Sequence, residues 1–283
     1  MRTVDNAAIR RHAAVRFRSE YDYAQFEYWR SAKVLGYLEK AGIRRFDRVL
    51  DDGCGGGGMC VSFGEEAQAV VGIEPSDRFR DVGLRLAAEK GVRNVRFANA
   101  DGTALPFRDR SFDLVLSHSV IEHVGNPLAY LSEARRVLTT GGVMLLSTAP
   151  YLSSSGSHLP KYRVPFPLPL HLIAGRKAAF AAARWVGQHK PHWFDADSQT
   201  SSFVHAGHDG PKTDDLLYRA TVRNLRDNIR RAGLSIRRED LAISRAATRY
   251  LPAAASKSIP GIPLVRDVLV TNMEYLLVRR ATD

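Results

Sequence analysis

Five glycines within six positions, Gly53, Gly55, Gly56, Gly57 and Gly58, follow two acids that end a short apolar run, Arg48-Val49-Leu50-Asp51-Asp52. Glycines there let the backbone take positive φ and bring a ligand against main-chain N–H groups with no Cβ between them. The first N–H groups of a helix starting near Met59 face the same loop. Such a loop cradles a nucleotide-type ligand. Glu74, Asp101 and Ser117-His118 each stand at the expected carboxyl end of a strand, where ligands of open α/β sheets bind. For proton abstraction the first candidate is His118, just past the fourth strand, and the second is His158, on the loop after the fifth. His118, Glu122 and His123 also place three metal-compatible donors within six residues. A helix turns neighbouring residues apart, however, and no metal ion is expected. His205-x-x-His208-Asp209 carries donor types too, but no cysteine or second cluster completes a site.

Two nucleotide templates fit the glycine loop. Gly53-x-Gly55-x-x-Gly58 satisfies the dinucleotide fingerprint, with Glu74 at about the right distance to hold a ribose. Asp51-x-Gly53-x-Gly55-x-Gly57 satisfies the S-adenosylmethionine pattern equally well. Asp51 separates them physically. A carboxylate at the mouth of the loop repels a pyrophosphate, whereas S-adenosylmethionine carries an ammonium, a sulfonium and no phosphate.

From here the chain resembles the class I S-adenosylmethionine-dependent methyltransferases, of the ubiquinone/menaquinone-biosynthesis-like (type 11) group. Val70-Val71-Gly72-Ile73-Glu74-Pro75-Ser76 is similar to the family's second strand, whose terminal acid takes both ribose hydroxyls. Asn99-Ala100-Asp101-Gly102-Thr103-Ala104-Leu105-Pro106-Phe107 resembles its adenine loop, with Asp101 near the exocyclic amine. Ser111-Phe112-Asp113-Leu114-Val115-Leu116-Ser117 resembles its fourth strand. Ile121-Glu122-His123-Val124 and the stretch from Leu131 to Gly142 match the helix and glycine turn that follow. The resemblance covers residues 47–150 and fades after Pro150. It implies S-adenosylmethionine as cofactor, held by Asp51, Gly53, Cys54, Gly55, Gly57, Glu74, Pro75, Asp101, Gly102 and Ser117. Cys54 and Cys60 are expected to be structural.

The elements that must position these residues alternate in type. Apolar runs at 48–51, 69–73, 95–98, 112–117 and 143–147 read as strands, with helices near 59–66, 76–90, 120–124 and 127–138. That alternation predicts right-handed βαβ units. The expected fold is α/β, a Rossmann-like doubly wound, mostly parallel seven-stranded sheet with an antiparallel last strand and an inserted lid region. A helix over 20–41, dense in aromatics, precedes the first strand, and Tyr21, Tyr28 or Trp29 could close over a sulfonium from it, or simply pack it on the sheet. An amphipathic helix is expected at 214–232, then strands at 234–239 and 272–279. The whole chain, 1–283, reads as a single domain: an arm and lid helix (1–45), a cofactor-binding core (46–150), a substrate-side insertion (151–213) and the C-terminal part of the sheet (214–283).

The 283 residues, 45% of them hydrophobic, suffice for a substantial core. Two cysteines, one in the glycine loop and one in the next helix, cannot build a disulfide scaffold, so a reducing compartment fits. No run is apolar enough to span a membrane, and the N-terminus lacks a signal-peptide core. A cytoplasmic location is expected. The net charge of +11 reads chiefly as solvated arginine rather than as the mark of an anionic partner. Residues 159–187 mix apolar and basic side chains; they suit a lid over the acceptor pocket, and also a peripheral membrane contact.

The expected reaction is an in-line methyl transfer to a small-molecule acceptor, at an oxygen of a sugar, phenol or lipid-linked metabolite. An RNA methyltransferase fits less well. Amino-methylating enzymes carry Asn/Asp-Pro-Pro-aromatic after the fourth strand, where this chain has Ser117-His118-Ser119-Val120, and neither cysteine is placed as a pyrimidine nucleophile. An NAD-dependent oxidoreductase is opposed by Asp51 and by the Asp101 loop. A non-catalytic cofactor-binding scaffold is opposed by the full set of binding acids.

Overall fold

The structure, a computed structural model, describes residues 3–76, 80–153, 158–159, 170–194, 216–244, 248 and 252–279. Its centre is a seven-stranded sheet in the order β3-β2-β1-β4-β5-β7-β6. The strands are β1 (Arg48–Asp52), β2 (Ala69–Glu74), β3 (Val95–Asn99), β4 (Phe112–His118), β5 (Leu138–Thr148), β6 (Leu234–Ile243) and β7 (Val270–Arg279). The first five pair in parallel, and β7 runs antiparallel to both β5 and β6. The sheet therefore has the expected class and the expected antiparallel last strand. The order in which successive strands are added reverses between β1 and β4, so their carboxyl ends form the switch-point crevice.

Burial on both faces explains the near-continuous apolar runs of the central strands. Alternate residues feed two cores. Val49, Val70, Leu114 and Leu145 face α2 (Glu20–Lys40) and α3 (Gly58–Gly64), meeting Leu35, Leu38 and Phe63. Leu50, Ile73, Val115 and Met144 face α5 (Pro127–Val137) and α8 (Val222–Arg231), meeting Tyr130, Leu131 and Ile229. The same alternation separates the two acids that follow. Asp51 continues the Val49 side beneath α2 and α3, and Asp52 continues the Leu50 side beneath α5.

The N-terminal arm forms α1 (Asn6–Val15), started by Asp5, whose carboxylate accepts from Ala7 N and Ala8 N. The remaining helices before α8 are α4 (Arg80–Lys90), α6 (Leu170–Ile173) and α7 (Gly175–His189). Three local readings change. The helix expected from 214 starts at Val222, because the backbone just before it is used elsewhere. Tyr218 N donates to Glu122 O, and Ala220 O accepts from Tyr151 N. A capping box between Thr221 and Asn224 then opens α8. The helix expected near 120–124 is a single 3-10 turn, Ile121–His123. Between β6 and β7 the described residues include the short helices Ala253–Ser258 and Pro263–Leu269, which hydrophobic patterning did not suggest.

Candidate active site

The glycine loop binds back onto the sheet before it can bind anything else. Gly53 N and Cys54 N both donate to Ile73 O at 2.9 Å. Gly53, Gly55 and Gly57 have φ of 87°, 49° and 75°, a region that a side chain disfavours. Glu74 Oε2 accepts from Gly55 N at 3.2 Å, tying the end of β2 to the loop. Beside the loop opens a cleft of about 580 Å³, lined by Asp52, Gly53, Glu74, Pro75, Asp101 and Gly102, and on its far wall by Val120 and His123. Its size suits a nucleotide-sized ligand.

Four carboxyl groups crowd this end of the sheet, and each is held above the ordinary carboxylate range. Burial is the first cause for all four. It pushes Asp52 up to about 8, with the charge of Asp51 adding. Glu27, from α2, rises to about 7 against the pull of Arg30. Asp51 rises to about 6, opposed by a hydrogen bond from Cys60 Sγ at 3.2 Å. Glu74 is also raised, offset by the Gly55 N–H and by His123. Asp52 Oδ2 and Glu27 Oε2 are buried and have no hydrogen-bond partner. Buried acids with free oxygens are a costly arrangement that a cationic ligand relieves.

His118 sits at the carboxyl end of β4, as expected, but its surroundings oppose a base. Arg30 Nη1 lies 2.8 Å from His118 Nε2. Arginine can only donate, so Nε2 is the acceptor and the ring proton is on Nδ1. Burial, then the Arg30 charge, lowers its pKa to about 3. A neutral ring so reluctant to take a proton is a poor general base at neutral pH. Between pH 5 and 8 the His118 ring is expected to keep one neutral tautomer, protonated at Nδ1. Two-bond ¹H–¹⁵N NMR checks this, and a midpoint near 6.5 would return His118 to the list of bases.

Tyr21, Tyr28 and Trp29 of α2 are engaged away from the cleft. Tyr28 donates to Glu65 at 2.5 Å, Tyr21 donates to Glu89, and Trp29 stacks on His12 of α1 at 5.9 Å. The residues that α2 turns toward the glycine loop are Ala24, Glu27 and Arg30. Ala24 packs on Gly56 and Gly58, Glu27 feels Asp51 and Glu74, and Arg30 lies 3.6 Å from Glu27.

On the far side of the cleft, His158 comes to Glu122. Its Nε2 lies 3.8 Å from Glu122 Oε1, and its ring centroid 5.3 Å from that of His123. Thr148 Oγ1 donates to Glu122 Oε2 at 2.7 Å. His118 is not part of this group.

A methyltransferase-domain family profile matches residues 50–146. YcgJ of Bacillus subtilis, described as an uncharacterized methyltransferase, is 30% identical over 179 residues, 59% of this chain and 71% of YcgJ. The chain belongs to the class I S-adenosylmethionine-dependent methyltransferases. The YcgJ crystal structure matches the fold with a TM-score of 0.51 at 18% identity, over 88% of this chain and 99% of that one. An uncharacterized methyltransferase of Mycobacterium sp. (strain JLS) is 36% identical over 162 residues, and the chain spans 58% of that relative's length and matches over 57% of its own. A ubiquinone biosynthesis O-methyltransferase of Cereibacter sphaeroides is 38% identical over 101 residues, 36% of this chain and 40% of that protein.

Within this methyltransferase fold, Gly53, Glu74, Pro75, Asp101 and Gly102 meet in one cleft. Cys54, Gly55 and Glu74 line a small neighbouring recess. Ser117 is buried and accepts from Tyr130 Oη at 2.8 Å, so its side chain holds α5 on the sheet. Asp51 bonds Cys60, and the acid that lines the cleft is its neighbour Asp52. Strand alternation could have distinguished the two acids. Glu27 and Arg30 were hidden among the α2 aromatics, where helical spacing of three residues was the available signal. Phe180 and Val186, counted as apolar area for a membrane contact, are buried against Ala183 and Phe194; Leu172, Ile173 and Trp185 are exposed. The other part of that stretch, 160–169, and His205, His208 and Asp209 lie outside the described residues. Among the described residues no helix is long and apolar enough to cross a membrane.

Proposed function

We propose that the chain binds S-adenosylmethionine in this cleft and transfers its methyl group to an oxygen of a small hydroxylated acceptor. The observation that carries the reading is the set of four carboxyls, Asp51 and Asp52 buried and Glu27 and Glu74 partly buried, crowded around the glycine loop with raised affinity for protons. A ligand with an ammonium and a sulfonium balances such a site, and a pyrophosphate does not. Glu74 takes the ribose hydroxyls, Pro75 and the Asp101–Gly102 loop flank the adenine, and Asp51, Asp52 and Glu27 favour the cationic end. Arg30, the cation nearest Glu27, takes the methionine carboxylate. The cofactor supplies the activated methyl group; the chain holds donor and acceptor in line and excludes water. An oxygen acceptor is supported by the likeness to the ubiquinone biosynthesis O-methyltransferase. The direct experiment is calorimetry with S-adenosylmethionine, its demethylated product and NADH. Binding of the first two alone is expected, and binding of NADH alone would overturn the reading.

Proton release is the sharper test. Carboxyls held at about 6, 7 and 8 keep part of their protons at pH 7. A bound cation favours their charged forms and lowers those values, so binding expels protons, on the order of one per cofactor at pH 7. Affinity is therefore expected to rise with pH from about 6 to 8 and to level off above. Calorimetry in two buffers of different ionisation enthalpy measures the released protons directly; uptake of protons contradicts the placement of the cation among these acids.

A further inference from the structure

We propose that Glu122, His123 and His158 form a site for a divalent transition-metal ion of the zinc type, which holds and ionises the acceptor hydroxyl at the edge of the cofactor cleft. The three residues offer one ligand atom each, and these atoms all lie within 4.8 Å of one another. A tetrahedral ion with bonds of about 2.1 Å separates its ligand atoms by about 3.4 Å. The 3.8 Å between Glu122 Oε1 and His158 Nε2 is close to that spacing, so small side-chain movements complete the set. Two imidazoles and one carboxylate select zinc, cobalt or nickel over magnesium or calcium, which prefer all-oxygen sites.

The surroundings are those of a ligand set rather than of a chance cluster. Glu122 is only 6% exposed, and its ion pair is with His158. A divalent ion held between this carboxylate and the two imidazoles would balance the buried charge. The bond from Thr148 Oγ1 to Glu122 Oε2 fixes the carboxylate with Oε1 directed to His158, as an outer partner orients a ligand. His158 holds φ at 57°, a left-handed conformation uncommon for a residue with a side chain and concentrated at functional positions. His123 also lines the cleft, so an ion held by the three residues would sit at the cleft's edge. The donor set differs from the one that sequence spacing suggested, His118, Glu122 and His123, because the third donor comes from the loop after β5.

The chemical role rests on the methyl-transfer reading; ion binding does not. Coordination lowers the pKa of the acceptor hydroxyl toward neutrality, as it does for zinc-bound water. The hydroxyl proton passes to solvent, and the bound oxygen attacks the methyl carbon. The O–CH3 bond forms as the S–CH3 bond breaks, its electron pair remaining on sulfur to give S-adenosylhomocysteine. No separate general base is needed, consistent with the sealed, low-pKa His118.

The test is zinc titration of the chelator-stripped full chain by calorimetry, with cobalt absorption as a second signal of tetrahedral coordination. One ion per chain is expected. Glu122→Gln, which keeps the Thr148 bond, and His158→Gln are each expected to weaken zinc binding at least 30-fold, while His192→Gln leaves it unchanged. Circular dichroism confirms that each variant folds. No saturable zinc binding in the folded wild type, or equal binding in both ligand variants, overturns the site. S-adenosylmethionine titrated separately distinguishes the two readings. Zinc bound without the cofactor keeps the metal site and removes methyl transfer; the cofactor bound without zinc does the reverse.

Discussion

Replacing Glu74 with alanine is expected to weaken S-adenosylmethionine binding about 30- to 1000-fold, or ~2–4 kcal/mol, with little change in melting temperature. The carboxylate closes β2 at the lip of the cleft and is half-buried, so it is reachable by a ligand without being part of the core. Two charge-assisted hydrogen bonds to a ribose account for most of the expected loss. The rest comes from the loop, because Glu74 Oε2 is the acceptor for Gly55 N at 3.2 Å and alanine leaves that N–H to solvent. Burial raises the Glu74 pKa through the cost of its charge, so alanine also removes an unfavourable charge from the ligand-free protein. The variant should therefore be no less stable than wild type. Calorimetry and thermal melting together read the result. Wild-type affinity in Glu74→Ala would remove the ribose from this acid, and a large fall in melting temperature would mark Glu74 as structural.

The cleft at the carboxyl ends of the strands was legible because its geometry is local. Each of Glu74, Asp101 and the glycine loop ends a strand, and parallel strands bring their carboxyl ends together whatever the rest of the chain does. Period-two alternation was legible in principle and was passed over: Asp51 and Asp52 differ by one residue, so one faces Cys60 and the other the cleft. What short-range patterning could not reveal was any pairing over long separations. Arg30 reaches His118 from 88 residues away in the chain, and this contact converts a candidate base into an acceptor held by a guanidinium. His158 joins Glu122 through a loop whose length sets no geometry in advance. The start of α8 was misjudged for the same reason, because residues 218 and 220 spend their backbone groups on Glu122 and Tyr151 rather than on a helix.

The second large effect is expected at Gly58, where α2 lies directly on the first turn of α3. A Cβ there would run into the Ala24 carbonyl oxygen, come within 2.9 Å of its carbon, and come within 2.8 Å of Glu27 Cβ. Two of those atoms are backbone, so no rotamer change relieves the clash and α2 must move as a body. Helix propensity favours alanine by about 1 kcal/mol, and overpacking against backbone outweighs it, costing roughly 3 kcal/mol. Gly58→Ala is thus expected to lose on the order of 2 kcal/mol or more net, a fall of several degrees in melting temperature for a chain of this size. Because α2 carries Glu27 and Arg30, cofactor affinity should fall with it, by about tenfold or more. Two further glycines calibrate the result. At Gly56 the added Cβ would sit 3.1 Å from Ala24 Cβ, a contact relieved by a shift of a few tenths of an ångström, so Gly56→Ala should cost less. At Gly36, inside α2 with nothing within 4 Å, alanine should stabilise by about 0.5–1 kcal/mol. Thermal melts of the three variants should rank Gly36→Ala highest and Gly58→Ala lowest. If Gly58→Ala melts with wild type, α2 does not rest on the glycine loop, and the places of Glu27 and Arg30 in the site are lost with that contact.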